Sequence, residues 1–380
     1  MTVLSIAMQT KTFIVRYLII ILSAVTLAGC VMNAPEQRIF IAHRGVNMRY
    51  VAAGENSLEA IRLAKRAGFK AIETDVRLTA DSVLVAMHDK TLRRTCLYPD
   101  GSRVDKSLKV SDFTIEQLRN DFVLRSPKEE MRTQIPTLEE YLKVCKEEGL
   151  LVFIEPKLKD PSGRHYLDII ACADTIFGRG NYIVTSNNFA NGVIRDTLGI
   201  TDVPLMGILY QTTYEDIAAK HDVIMAISTS QFDPDAYAEN VARSKADGLY
   251  TESHADSFER FDMINNAEID YVSTDFLAPD WHGQGEVLLH HKGRSKTKAL
   301  KISEACKNLS AVPFGAIYLE MQFTGSAKIR LAEQEFTVES EDDRCIRHQV
   351  MLSGAQPEFG LTEMSEDFSI KNVMIRVVGF

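Results

Sequence analysis

The feature that most constrains this chain is an alternation. From Ile39 onward, short apolar runs alternate with amphipathic stretches, and the apolar runs centre near residues 40, 73, 153, 183, 207, 225, 250 and 272. Residues 57–67 carry Leu58, Ile61, Leu63 and Ala64 at helical spacing, which predicts a helix with one buried face. Helices are likewise expected over 114–120, 137–148, 165–176 and 191–198. The one at 137–148 opens on Thr137 with Glu140 three residues later and stops at Gly149, the pattern of a capping box and a C-terminal glycine. A further short strand over 83–87 lies outside the count of eight. Eight strand–helix repeats over roughly 250 residues fit an α/β fold, the (β/α)8 TIM barrel. A doubly wound open sheet would usually place a Gly-rich phosphate loop after its first strand, and this sequence has none there.

Beyond Trp281 the period changes. Gly283 and Gly285 mark a linker, and Ile317-Tyr318-Leu319-Glu320-Met321-Gln322-Phe323 alternates at period two. Segments 328–331, 336–338, 349–352 and 372–378 also read as extended. The chain therefore divides into a leader over 1–29, a tether over 30–38, the barrel over 39–282 and a small β-sandwich-like domain over 286–380. The last of these reads either as a module that binds carbohydrate or another envelope component, or as a structural spacer. Its nearest tryptophan is in the linker, so it has no Trp of its own for a sugar platform.

The leader contains Lys11 and Arg16 followed by an apolar run over 17–27 that ends in Leu27-Ala28-Gly29-Cys30. Met8 is a second candidate start. The run is short for a membrane span, and small residues before a cysteine match the cleavage site of a bacterial lipoprotein signal. Cys30 is then the lipidated residue, and the expected location is the cell envelope, membrane-anchored and periplasmic or surface-facing. The other five cysteines are an odd set with no CxxC spacing, which argues against a disulfide framework. Cys145 and Cys172 fall in helical patterns as small core residues, while Cys306 and Cys345 are a possible pair in an oxidising compartment. The net charge of −9 excludes a nucleic-acid surface, which needs basic patches. It leaves room for an anionic substrate where a bound cation inverts the local field.

The chemistry concentrates at the ends of the strands. In Ile72-Glu73-Thr74-Asp75-Val76 the two carboxylates share one face of a strand. Burying them in a parallel barrel demands a compensating cation. Ile154-Glu155-Pro156-Lys157 repeats the arrangement on the next main strand. Three carboxylates there suit a hard divalent ion such as Ca²⁺ or Mg²⁺, or else salt bridges to Lys157 and Arg44. His43-Arg44-Gly45 follows the first strand, and Met87-His88-Asp89 follows the strand at 83–87. Two imidazoles on one rim can supply a general acid and a general base. Arg44 offers a planar fork of donors for a phosphate.

In order along the chain stand His43-Arg44-Gly45, Glu55-Asn56-Ser57, Glu73-Thr74-Asp75-Val76, His88-Asp89, Thr91-Leu92-Arg93-Arg94-Thr95, Ile135-Pro136-Thr137-Leu138-Glu139, Glu155, Lys157 and Ser273-Thr274-Asp275. This series resembles the glycerophosphodiester phosphodiesterase family over residues 39–280. The resemblance implies a barrel, one divalent cation, and hydrolysis of glycerophosphodiesters to glycerol 3-phosphate and an alcohol. It implies His43 and His88 as the acid/base pair and Glu73, Asp75 and Glu155 as metal ligands. Arg44, Lys157, Glu55 and Asn56 fall on the substrate side. The chain departs from the family at Gly54, where proline is usual, in a longer 46–54 segment, at Pro156 and at Cys96. Two other readings share the barrel: a lyase similar to sphingomyelinase D that stops at a cyclic phosphate, and a non-catalytic envelope binding protein. The second would be expected to lack one of the histidines or acidic ligands, and none is lacking.

The leader carries its own test. Cys30→Ser is expected to release the protein from the detergent fraction or to leave an uncleaved precursor. An unmodified Cys30 in the mature wild-type protein, read by mass spectrometry, would exclude lipidation.

Overall fold

A computed structural model describes residues 38–46, 53–126, 128–185, 187–209, 213–227, 234–255, 260, 264, 267–275, 286–295, 315–331, 334–352 and 359–379. The leader, Cys30, Cys306, Trp281, Gly283 and Gly285 lie outside them. Among the described residues no helix is long and apolar enough to cross a membrane.

The elements run β1 (Ile39–His43), α1 (Leu58–Arg66), β2 (Ala71–Leu78), β3 (Leu84–Ala86), β4 (Cys96–Leu97), α2 (Ile115–Asp121), β5 (Val123–Leu124), α3 (Leu138–Glu147), β6 (Leu151–Pro156) and α4 (Arg164–Phe177). They continue as β7 (Ile183–Val184), α5 (Asn188–Gly192), β8 (Met206–Ile208), α6 (Tyr214–Ala218), β9 (Val223–Ile227), α7 (Pro234–Ala246), β10 (Tyr250–Ala255) and β11 (Tyr271–Thr274). The parallel strands pair in the order β7-β6-β2-β1-β11-β10-β9-β8. A parallel bridge from Val184 to Leu205 joins the two ends, and Val184 N–H donates to the Pro204 carbonyl at 3.0 Å. Eight strands, each beside its neighbour in sequence, thus close the expected barrel. Strand β3 stands apart as an antiparallel partner of β2.

Local chemistry explains the elements. Ser57 caps α1 by accepting from Ala60 N–H, and Lys65 and Arg66 occupy its last turn, where cations complement the helix dipole. Thr137 and Glu140 form the expected capping box on α3, and Gly149 follows at φ +65°. Helix α5 starts earlier than its periodicity suggests, because the Asn187 side chain accepts from Ala190 N–H and caps it. It then widens into a π-helical turn over Val193–Thr197.

Two apolar layers hold the barrel. Ile41, Ala71, Phe153, Ile183, Met206, Val223 and Tyr271 fill its interior. The outer layer binds α1, α3 and α4 to the strands through Ile61, Leu63, Tyr141, Leu142, Tyr166 and Ile170. Cys145 is buried in this layer and Cys172 packs against it. Between β3 and α3 an excursion builds a third core from Leu92, Cys96, Val104, Leu118, Phe122 and Leu124. Gly54 abuts this excursion: a Cβ there would lie 3.0 Å from both the Arg125 carbonyl oxygen and Leu124 Cβ. Glycine at this family departure lets the first loop close against the excursion.

The C-terminal strands are β12 (Glu286–Ser295), β13 (Gly315–Leu331), β14 (Gln334–Leu352), β15 (Phe359–Thr362) and β16 (Ser369–Gly379). They form one five-stranded antiparallel sheet, ordered β12-β16-β13-β14 with β15 on β13. Segments that read as separate in the sequence are continuous here. Both 317–323 and 328–331 belong to β13, across a register shift between Phe323 and Gly325. A bulge of this kind bends a strand without ending its ladder. Alternate residues Ile317, Leu319, Met321 and Phe323 face one core with Ile329, Leu331 and Ile375. Tyr318, on the other face, is buried with the outer layer of the barrel.

Gly45 fixes the turn that leaves β1. It has φ +76°, and a Cβ would lie 2.7 Å from Ala60 Cβ and 2.9 Å from the Ala60 carbonyl. Gly248 has a similar φ of +75° but nothing within 4 Å of its Cβ direction. Gly45→Ala should therefore destabilise by more than about 2 kcal/mol, combining backbone strain and overpacking. Gly248→Ala should cost only the backbone term, about 1 kcal/mol. Equal melting temperatures for the two variants would contradict this packing account.

Candidate active site

The parallel register gathers the carboxylates. His43 pairs with Glu73, and Asp75 pairs with Glu155, so residues two apart on β2 meet neighbours from β1 and β6 at one end of the barrel. Ligand atoms of Glu73, Asp75 and Glu155 all lie within 4.8 Å of one another. Burial, reinforced by Asp75, pushes Glu73 well above the usual carboxylate range. Burial also raises Glu155 to about 7, against the pull of Lys157. Asp75 is held below its ordinary value: burial pushes it up, but Arg44, His88 and Lys157 outweigh that. Glu73 Oε1 and Asp75 Oδ1 are buried with no hydrogen-bond partner. Three clustered carboxylates, two of them with a buried oxygen that makes no hydrogen bond, fit a hard divalent cation, which would satisfy them.

Two cations border this cluster. Arg44 sits in the left-handed region at φ +60°. Its backbone N–H donates to Glu73 Oε2 at 3.2 Å, and its guanidinium lies 3.1 Å from Asp75 and 3.5 Å from Glu55. Lys157 Nζ lies 2.5 Å from Glu155 Oε1 and 3.5 Å from Asp75 Oδ1. Asn56 donates to Asp75 Oδ2 at 3.0 Å and accepts from Thr74 at 2.9 Å. It therefore buttresses Asp75 from behind.

Each of the two predicted histidines is held by an aspartate. His43 Nδ1 lies 3.0 Å from Asp275 Oδ1, and its Nε2 lies 3.9 Å from Glu73 Oε2. His88 Nδ1 lies 2.7 Å from Asp89 Oδ1. A carboxylate at Nδ1 places a proton there and makes Nε2 the basic nitrogen of each neutral ring. Burial, aided by Arg44 and Lys157, lowers the His88 pKa from its ordinary value. Asp89 is depressed to about 2, because hydrogen bonds from Arg94 and His88 overcome its burial.

Sequence reasoning quoted Asp89, Arg94 and Asp275 only as parts of motifs. In space Arg94 is a junction. It makes two bonds to Glu55, at 2.6 and 2.7 Å, and two to Asp89, at 2.7 and 2.8 Å. Glu55 is thus engaged with Arg94 and Arg44 and steadies the His88 support. Arg77, not singled out in the sequence, donates to the His88 carbonyl at 2.7 Å and the Lys157 carbonyl at 2.8 Å. It ties the two rim loops together. Also missed was β10: Glu252 and His254 are buried and lie near Ser273 and His43. The signal was present, since period two puts Glu252 and His254 on one face.

Comparison with known proteins agrees with this geometry. The model of the glycerophosphoryl diester phosphodiesterase family matches residues 43–277. Glycerophosphodiester phosphodiesterase 1 of Bos taurus is 36% identical over 135 residues, covering 32% of this chain and 35% of that protein. A glycerophosphodiester phosphodiesterase of Caldanaerobacter subterraneus subsp. tengcongensis is 34% identical over 120 residues, covering 31% of this chain and 45% of that protein. The matches thus span between about a third and a half of those relatives' length. Among solved structures, a glycerophosphodiester phosphodiesterase of Agrobacterium tumefaciens superposes with a TM-score of 0.51 at 20% identity, covering 64% of this chain and 98% of that one. An Oleispira antarctica phosphodiesterase in complex with sn-glycerol-3-phosphate gives 0.50 at 22% identity, covering 63% and 94%. These structures share the barrel fold. With a family match across the whole site-bearing region, the chain belongs to the glycerophosphoryl diester phosphodiesterase family.

Proposed function

We propose that the chain is a metal-dependent phosphodiesterase that hydrolyses glycerophosphodiesters to glycerol 3-phosphate and an alcohol. The observation that carries this reading is one rim with three converging carboxylates and two aspartate-held imidazoles. Glu73, Asp75 and Glu155 would hold one divalent cation, Ca²⁺ or Mg²⁺. Such an ion neutralises phosphate charge and polarises the P–O bonds.

The chain's own residues do the rest. Arg44 and Lys157 share the remaining negative charge of the phosphodiester. Both now face carboxylates, so a phosphate would take over these two cations while the metal ion took over the carboxylates. Nε2 of one histidine takes a proton from the nucleophile, water or the neighbouring glycerol 2-hydroxyl. Nε2 of the other gives a proton to the departing alkoxide. Asp275 and Asp89 keep each ring oriented and stabilise its protonated form. The lipidated Cys30 would hold the enzyme at the cell envelope, and the C-terminal sheet would serve as an accessory binding module or support.

Cation binding should depend on pH in a definite sense. Glu155 is raised to about 7, so below neutrality it carries a proton that must leave when the ion enters, and Glu73 is raised as well. Affinity for Mg²⁺ or Ca²⁺ measured by calorimetry should therefore rise with pH toward neutrality, by about tenfold per pH unit for each proton displaced. Proton release should be seen below neutrality. Asp75→Asn should weaken the affinity at every pH, and turnover in excess chelator would remove the cation from the reading.

The histidines are tested as a pair. His43→Ala and His88→Ala should each lower kcat by roughly 10²- to 10⁴-fold, the usual scale for one general acid or base. The double variant should be little worse than either single one. A p-nitrophenyl leaving group needs little protonation, so it should rescue the variant lacking the acid and not the one lacking the base. Near-normal turnover with lowered thermal stability would assign both rings to loop structure instead.

A further inference from the structure

Arg94 stands between two carboxylates and is bonded to both. Its Nη1 and Nη2 donate to Glu55 Oε2 and Oε1 at 2.6 and 2.7 Å, and its Nε and Nη2 donate to Asp89 Oδ2 and Oδ1 at 2.7 and 2.8 Å. A guanidinium only donates, so the sense of all four bonds is fixed. Asp89 Oδ1 also lies 2.7 Å from His88 Nδ1. Burial raises Asp89, but its bonds from Arg94 and His88 outweigh that and hold it at about 2. Asp89 is therefore a carboxylate at neutral pH, and the imidazole is the donor.

The two ends of this fork sit in different surroundings. The Glu55 side chain is 4% exposed, whereas Asp89 is 22% and Arg94 39% exposed. An aspartate on an open rim is a loose support by itself, because exposed ion pairs gain little from holding one geometry. Arg94 ties it to a buried carboxylate. Leu92 and Cys96, two residues to either side of Arg94, are fully buried in the core of the excursion, so the backbone that carries the fork is fixed as well. The fork thus spans from the excursion to the loop after β1. Both oxygens of Glu55 are engaged by it. Among the described residues, Glu55 stands outside the carboxylate group that could hold a cation.

We propose that Arg94, anchored on Glu55, is a positioning residue for His88: its fork holds the Asp89 carboxylate that orients the imidazole for proton transfer. Glu55, expected on the substrate side, then serves as the anchor of the fork rather than as a ligand. The proposal rests on the phosphodiesterase reading and deepens it.

Steady-state kinetics of the full-length protein test it, with Mg²⁺ or Ca²⁺ present. The substrates are glyceryl p-nitrophenyl phosphate and the fastest cleaved of glycerophosphocholine, glycerophosphoethanolamine and glycerophosphoglycerol. Arg94→Gln should lower kcat on the alkyl diester by about 10- to 100-fold, the scale of a small misplacement, with KM changing less. In a His88→Ala background the same substitution should lower kcat by no more than about twofold, because groups that act as one unit are not additive. The loss should also follow His88 in its response to the leaving group. The p-nitrophenyl ester should rescue Arg94→Gln if it rescues His88→Ala, and leave it slow otherwise. Arg94→Lys keeps the charge but lacks the planar fork, so it should stay within about threefold of Arg94→Gln. If Arg94→Gln does not fold, Glu55→Gln combined with Arg94→Met removes both partners of the pair together and carries the same comparisons. Full activity in Arg94→Gln or Arg94→Lys overturns the positioning role. So does an equal fall in the wild-type and His88→Ala backgrounds, which reports a general loss of structure. A fall confined to KM overturns it too, assigning Arg94 to phosphate binding through Arg44. Each of these results leaves the phosphodiesterase reading standing, whereas a wild type that cleaves none of the substrates removes that reading.

Discussion

The site is organised by the repulsion among Glu73, Asp75 and Glu155. Three carboxylates whose oxygens lie within 4.8 Å of one another, at the mouth of a barrel with an apolar interior, cannot all ionise without cations. Burial first, and then the charge of Asp75, raises the proton affinity of Glu73 and Glu155. Arg44 and Lys157 relieve part of the repulsion, and their placement follows: one leaves β1 through a left-handed turn, the other follows β6 beside its own Glu155. A divalent ion would relieve the rest. The same residues whose joint burial is unfavourable would therefore suit a cation and a phosphate together.

Much of this was legible in the sequence, for physical reasons. A barrel strand has a strict period, so Glu73 with Asp75, and Glu155 with Lys157, had to share faces. Parallel strands in sequential order had to bring those faces to one rim. His43, Arg44 and His88 stand at strand ends, where the fold leaves side chains accessible. The supports could not be read in the same way. Arg94, which holds Asp89, reaches Glu55 across 39 residues of chain, and Asp275 reaches His43 across 232. Such contacts depend on closure of the barrel and on the excursion folding back, which no local period encodes. The C-terminal strands were fragmented for the opposite reason. Local pattern breaks at the bulge near Gly325, while the ladder runs on.

The two histidines are mounted differently, and this bears on how the site holds its geometry. His43 belongs to β1, and its aspartate follows β11, so both are parts of the closed barrel. His88 follows β3 and opens the excursion, which has its own apolar core. Its position relative to the carboxylates relies on polar ties: Asp89 to Arg94, Arg94 to Glu55, and Arg77 to the carbonyls of His88 and Lys157. His88 is therefore held by the β2–β3 pairing that ends at Ala86 and by these polar ties, while His43, Glu73, Asp75 and Glu155 are held by the register of the barrel strands. Arg94 and Arg77 fasten the excursion with charge-assisted bonds, which are about twice as strong as neutral ones. Gly54 adds to them by letting the loop that bears Glu55 lie against Leu124 and Arg125. The departure from the family's usual proline thus belongs to the same mechanical problem: fastening the excursion that carries His88 to a barrel that already holds His43.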